Sequence, residues 1–128
     1  MKLLSIDYGQ RKIGIAKAET KIVEPYTVLH YESQEKVILK IVKIIKDLGI
    51  DKVVVGVSEG KSAQRSKNFG ENLLKYLEIP LEYIDETLST QKAQELAIEA
   101  GIKRLKRKKL EDAYAAAVML QLYLEKYV

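Results

Sequence analysis

From Ser33 to Asp85 the hydrophobic period switches back and forth, and this alternation restricts the fold more than any other feature of the chain. Val37, Ile38, Ile41, Val42, Ile44 and Ile45 recur at three- and four-residue intervals, the spacing of one face of an amphipathic helix. Ser33 is placed to cap that helix and Gly49 to stop it. The next segment, Lys52-Val53-Val54-Val55-Gly56-Val57, is a continuous apolar run of the kind found inside parallel sheets. A second helix is expected over 62–77, with Ala63, Phe69, Leu73, Leu74 and Leu77 toward the core. Pro80 then precedes another strand, Leu81-Glu82-Tyr83-Ile84-Asp85.

The chain before Ser33 reads differently. Leu3-Leu4-Ser5-Ile6-Asp7 is a short buried strand that ends at a Tyr8-Gly9 turn. Ile13-Gly14-Ile15-Ala16 returns antiparallel to it after Gln10-Arg11-Lys12. A third strand, 26–31, is rich in β-branched and aromatic residues. Beyond Asp85, Ser89 or Thr90 caps a helix that runs through Ala100 to Gly101, and the last helix is expected from Leu110 to Tyr127. The order βββαβαβαα predicts an α/β fold: a five-stranded mixed sheet with helices on both faces. A three-strand antiparallel meander and two parallel strands make that sheet, in one domain over residues 1–128.

Composition narrows the function. The 128 residues include no cysteine, which excludes disulfides, a thiolate zinc site and a cysteine nucleophile. A single histidine, His30, argues against a His-rich metal site and a Ser-His-Asp triad. No apolar run approaches the roughly 20 residues that span a bilayer, and Asp7 interrupts what a secretory leader would need. The expectation is a soluble, cytoplasmic protein with no membrane partner. Net charge is +4, yet Lys103 to Lys109 reads Lys-Arg-Leu-Lys-Arg-Lys-Lys, six cations in seven residues. Such a block resists burial and attracts polyanions. It is expected as a surface loop ahead of the last helix.

The acids are placed more tellingly. Of five aspartates, Asp47 and Asp51 flank the Gly49 turn. Asp7 ends the first strand, Asp85 and Glu86 end the fifth, and Asp112 falls near the first turn of the final helix. Parallel strands one, four and five open their carboxyl ends on one edge, where ligands of α/β proteins bind. Carboxylates converging there would repel one another, and hard divalent cations, one or two Mg²⁺ or Mn²⁺ ions, relieve that repulsion. Such a cluster suits phosphodiester hydrolysis. Each acid alone has an ordinary reading: Asp7 opens a turn, Asp112 complements a helix dipole, and Asp85 and Glu86 stand exposed. Gly9 keeps bulk away beside Asp7. Ala113, Ala115, Ala116 and Ala117 let the last helix approach the sheet, although alanine also simply favours helix. Tyr8 and Tyr114 are expected near the site, as candidates for stacking on a base.

Taken together, these segments resemble one family. Leu4-Ser5-Ile6-Asp7-Tyr8-Gly9, continuing Arg11-Lys12-Ile13-Gly14-Ile15-Ala16, is similar to the opening of YqgF (RuvX-type) proteins. Asp85-Glu86-Thr87-Leu88-Ser89-Thr90 with Ala93 resembles their Asp-Glu-Arg-x-Thr-Thr motif. Lys108-Lys109-Leu110-Glu111-Asp112-Ala113 and the helix after it resemble their basic loop, acid and terminal helix. The resemblance implies a ribonuclease H-like fold related to Holliday-junction resolvases. It also implies a cytoplasmic nuclease of ribosome biogenesis that matures the 5′ end of pre-16S rRNA. Asp7, Glu86 and Asp112 match the positions that hold metal and carry catalysis, with Asp85 and Glu59 as further candidate ligands. Arg11, Lys103, Arg104, Lys106, Arg107, Lys108 and Lys109 would hold the phosphate backbone. The partner is RNA (pre-16S rRNA in a pre-ribosomal particle) or branched DNA, met by a monomer or a homodimer.

Two departures stand out. The family's arginine after Asp-Glu is Thr87 here, and the loop after strand four is cut to Gly56-Val57-Ser58-Glu59-Gly60-Lys61. They keep two other readings open: a resolvase-like DNA endonuclease, and a nucleic-acid-binding factor without turnover. Asp7-Tyr8-Gly9 followed by Gly14 also superficially matches the phosphate loop of actin-like and sugar-kinase domains. Those proteins need a second related domain, for which this chain has no room.

Overall fold

The computed structural model describes residues 1–57, 60–85 and 104–127; the side chains of 104–110 and 126–127 lie outside that description. Five strands and three helices are defined: β1 (Lys2–Tyr8), β2 (Lys12–Glu19), β3 (Ile22–His30), α1 (Gln34–Leu48), β4 (Lys52–Val57), α2 (Lys61–Leu74), β5 (Leu81–Asp85) and α3 (Arg104–Tyr127). The sheet order is β3-β2-β1-β4-β5. β1, β2 and β3 pair antiparallel, whereas β4 pairs parallel with both β1 and β5. This is the expected mixed sheet.

Strand alternation sends successive side chains to opposite faces, and the two faces are covered by different helices. Leu4, Ile6, Ile13, Ile15, Val53 and Val55 point to the face packed by α1 and α2, where they meet Val37, Ile41, Phe69 and Leu73. Each large side chain fully buried there stabilises the fold by about 1.5–3 kcal/mol. Leu3, Ala18 and Val54 point the other way, against Leu120, Tyr123 and Leu124 of α3. Ala16 meets Ala116 and Ala117 on that same face.

Local signals explain most boundaries. The Ser33 hydroxyl accepts from the Lys36 amide at the start of α1, and Gly49 ends the helix with φ 65°, in the left-handed region. Other boundaries correct the sequence reading. β3 starts at Ile22 rather than Tyr26: Pro25 sits at a register shift in an outer strand, where its missing amide is tolerated. α2 covers 61–74 rather than 62–77 and turns Ser66, Phe69, Gly70 and Leu73 inward. Leu74 is therefore 43% exposed, and Leu77 packs on the core from beyond the helix end.

The largest correction concerns the basic run. From Arg104 onward it is the first part of α3, not a loop, because lysine, arginine and leucine are good helix formers and no breaker follows Gly101. Asp112 thus lies about two turns inside the helix. An acid that deep gains little from the dipole, which acts within the first turn. The helix expected over 89–100 lies outside the described residues.

Candidate active site at the carboxyl end of β1

Leu3, Ser5 and Asp7 share the α3 face of β1, since they alternate with Leu4 and Ile6 on the other. Leu3 packs with Leu120 and Tyr123, and the Ser5 hydroxyl donates to the Ala116 carbonyl at 2.6 Å. α3 therefore runs opposite in direction to β1. Two residues further along the strand is Asp7, and one helical turn earlier on α3 is Asp112. The steps match, about 6.6 Å along the strand and about 6 Å along the helix.

Gly14 makes the approach possible. It is the cross-strand partner of Asp7 in β2, and a Cβ built on it would overlap the carbonyl of Asp112. The backbone of Asp112 rests where a side chain would stand. Ala113, Ala116 and Ala117 continue the close seat, all buried, whereas Ala115 packs with Val118 on another side of the helix. The alanine run thus acts as expected except at Ala115. Glycine inside a strand marks close backbone approach, and that signal, with the serine set between Leu4 and Ile6 in β1, was the available clue to Gly14 and Ser5. Gly9 has a different part: a Cβ there would stand 2.6 Å from the Lys12 carbonyl, so it closes the turn after β1.

The corner has mixed charge. Lys12 Nζ lies 3.3 Å from Asp112 Oδ2, with the Asp112 side chain 30% exposed. Asp7 and Asp112 offer oxygen alone, a donor set that fits Mg²⁺ or Mn²⁺ and suits softer metals poorly. Among the described residues no group of three or more His, Cys, Asp or Glu side chains converges. Glu86 and Glu59 lie outside those residues, as does Lys103, and the side chains of Arg104, Lys106, Arg107, Lys108 and Lys109 are not described either. Asp85 is exposed and falls on the same face of β5 as Leu81 and Tyr83, the α2 side, so the structure puts it on the opposite face from Asp7 and Asp112.

Tyr8 is also redirected. It packs against the α1–α2 core, stacked on Phe69 at 4.4 Å between ring centroids. Gln34 Nε2 donates to its hydroxyl at 3.1 Å, and Asn72 Nδ2 donates to Gln34 Oε1 at 2.9 Å. That ring is committed to tying β1 to two helices, which removes it as a base-stacking candidate. Tyr31 donates to the Gly9 carbonyl at 2.6 Å and secures the same turn. Burial first, then the nearby Tyr8 hydroxyl, push its ionisation well above the ordinary tyrosine value. Tyr114 is half-buried beside Ala115 and Val118.

Known proteins show the same architecture. The RuvC of T. thermophilus in complex with a Holliday junction substrate matches with a TM-score of 0.68 at 14% identity, over 98% of this chain and 96% of that one. The fowlpox virus resolvase bound to junction DNA matches with a TM-score of 0.69 at 13% identity, over 100% and 99%. At such identities the likeness establishes the ribonuclease H-like fold. Closer in sequence is a protein of Natranaerobius thermophilus named "Putative pre-16S rRNA nuclease", 32% identical over 100% of this chain and 96% of its own length. One of the same name from Caldanaerobacter subterraneus subsp. tengcongensis is 34% identical over 98% and 96%. A family model described as "RuvX: Holliday junction resolvase" matches residues 1–126, and the chain belongs to the RuvX family.

Proposed function

We propose that this chain is a cytoplasmic, metal-dependent nuclease that hydrolyses phosphodiester bonds in structured RNA, in maturation of the 5′ end of pre-16S rRNA. The observation that carries the reading is the seat at Gly14, which brings Asp112 over the strand pair holding Asp7. Two acids near a point of closest backbone approach repel one another; Lys12 offsets part of the charge at Asp112, and a shared divalent cation would offset more. Asp7 and Asp112 would hold that cation together with Glu86, which matches the family's acidic position. A divalent ion in such a site supplies Lewis-acid stabilisation and a nucleophilic water at neutral pH.

The chain's own groups do the rest. Lys12, beside Asp112, puts a cation where a phosphate oxygen would approach. The start of α3 carries Arg104, Lys106, Arg107, Lys108 and Lys109 and no acid in its first turn. Cations at a helix N-terminus oppose the macrodipole, by about 0.3–1 kcal/mol each where they are close. A phosphate backbone beside them would relieve that strain and fit the same N-terminus.

Asp7→Asn tests the reading. Cleavage of a pre-16S 5′-end RNA in Mg²⁺ or Mn²⁺ should fall at least a hundredfold, while binding of the same RNA stays within about threefold. Unchanged cleavage removes Asp7 from the mechanism. A parent chain that shifts RNA without shortening it is a binding factor. The family description and the junction-bound fold neighbours favour one second substrate, four-way DNA. Cleavage of junctions in preference to the RNA assigns the resolvase reading.

A further inference from the structure

We propose that the groove between the β1–β2 turn and the start of α1 is a second phosphate-contact surface, which holds the nucleic acid flanking the cleaved bond. The inference rests on the nuclease reading above and extends its binding face past the basic start of α3. The groove encloses about 980 Å³ and is lined by Arg11, His30, Tyr31, Glu32, Lys36 and Lys40 among others. Three permanent cations thus stand with one carboxylate, and Arg11, Lys36 and Lys40 are all exposed.

Its position is set by the sheet. His30 is the cross-strand partner of Lys12, and Lys12 is the residue ion-paired with Asp112. The groove therefore begins one pairing step from the carboxylate corner and two strand spacings, about 10 Å, from β1. The lysines of α1 stand on the other side of the sheet from Asp112, so nucleic acid leaving the carboxylate corner would reach them by passing round the β1–β2 turn, where Arg11 stands. The walls are fixed before any ligand arrives, because Tyr31 donates to the Gly9 carbonyl and Ser33 caps α1.

Two other concavities among the described residues lack this charge pattern. The one at the far end of β2 sets Lys2 and Lys17 against Glu19, Glu24 and Asp47. The one between α1 and the segment after α2 is walled by Val42, Ile45, Leu77 and Ile79, with Lys46 beside Glu78. Only the groove next to Lys12 carries excess positive charge among these three, and a polyanion is the ligand such an excess recognises without sequence choice.

The test uses the full chain with Asp7→Asn, so that binding is read without cleavage. Binding of a fluorescent single-stranded RNA is measured from low to high salt for this parent and for a version with Lys36→Glu and Lys40→Glu added. Both substitutions lie at exposed positions of α1. Loss of two phosphate contacts should lower the slope of log affinity against log salt by roughly 1.4, and affinity near physiological salt by about tenfold or more. A control with Lys21→Glu and Lys43→Glu, matched in charge change but outside the groove, should shift affinity by less than threefold. If the groove variant binds like the parent, or the control weakens binding equally, the groove assignment is wrong and the nuclease reading stands. A parent that binds no nucleic acid overturns both.

Discussion

Gly14 pairs with Asp7 across the sheet and lies directly beneath the main chain of Asp112. Two acids distant in sequence are thereby related through one missing side chain. Gly14→Ala should push α3 off the sheet, with a destabilisation of about 1–3 kcal/mol read from urea unfolding. Cleavage should drop at least tenfold at a temperature where the variant is still folded by circular dichroism. Full activity in the alanine variant would show that α3 tolerates displacement.

Lys12 sits beside Asp112 at 3.3 Å with its side chain 53% exposed. Such a pair contributes at most about 1 kcal/mol to stability, so Lys12→Gln should melt close to the parent. If Asp112 holds the proposed cation, the effect should fall on ion occupancy, because the ammonium and a divalent ion would compete for the same carboxylate. The Mg²⁺ concentration giving half-maximal cleavage is expected to fall severalfold while KM for RNA rises. A magnesium titration of the variant checks both.

The far end of α3 is held by a polar triangle. Lys52 Nζ donates to Glu82 Oε1 at 3.0 Å and to the Tyr123 hydroxyl oxygen at 3.1 Å, and Tyr123 donates to Glu82 Oε2 at 2.8 Å. The Lys52 ammonium, then the Tyr123 hydroxyl, hold the Glu82 carboxyl below its ordinary 4.5. The Tyr123 hydroxyl, then Glu82, hold Lys52 above its ordinary 10.5. A lowered acid adds stability that is complete above its unfolded value and is lost as pH falls through the folded one. A raised base adds stability that is complete below its unfolded value and is lost as pH rises through the folded one. The stability difference between parent and Glu82→Gln should therefore be greatest between pH 4.5 and 10.5 and shrink on either side. It should stay under about 1 kcal/mol, because the Glu82 side chain is 45% exposed. Unfolding curves at pH 3, 7 and 11 read the sign.

The chain of amides from Asn72 through Gln34 to the Tyr8 hydroxyl links α2, α1 and β1. Replacing Gln34 with leucine leaves both half-buried neighbours without that partner, at a cost of about 1–3 kcal/mol. Since Tyr8 adjoins Asp7, the same change should lower kcat more than it raises KM for RNA. Equal kcat in parent and variant would confine the relay to stability.

The helix over α1 and the strands β1, β4 and β5 were readable because each carries its own punctuation: Ser33 and Gly49 around one period, Pro80 before another. Boundaries failed where a tertiary circumstance outweighed a local rule. Pro25 reads as a strand breaker until β3 is known to be an outer strand. The cations after Arg104 read as a loop because like charges repel and favour solvent, yet their helix propensity prevails. Asp7 was identifiable as a candidate from its place at the end of β1, whereas Asp112 lies about two turns inside α3. What brings its backbone over the strand pair of Asp7 is Gly14, with the Ser5 bond alongside, a tertiary relation that no local pattern encodes. Tyr8 turns to the core because a single step along β1 exchanges one face for the other, and the same rule sets Asp85 on the α2 side of β5.

Pro25 and the slipped register beside it have a bearing on assembly. They deny an incoming chain the regular row of amides that strand addition needs along that side of the sheet. A second copy meeting the sheet along that side would therefore have to dock through side chains, with no continued ladder to set its position.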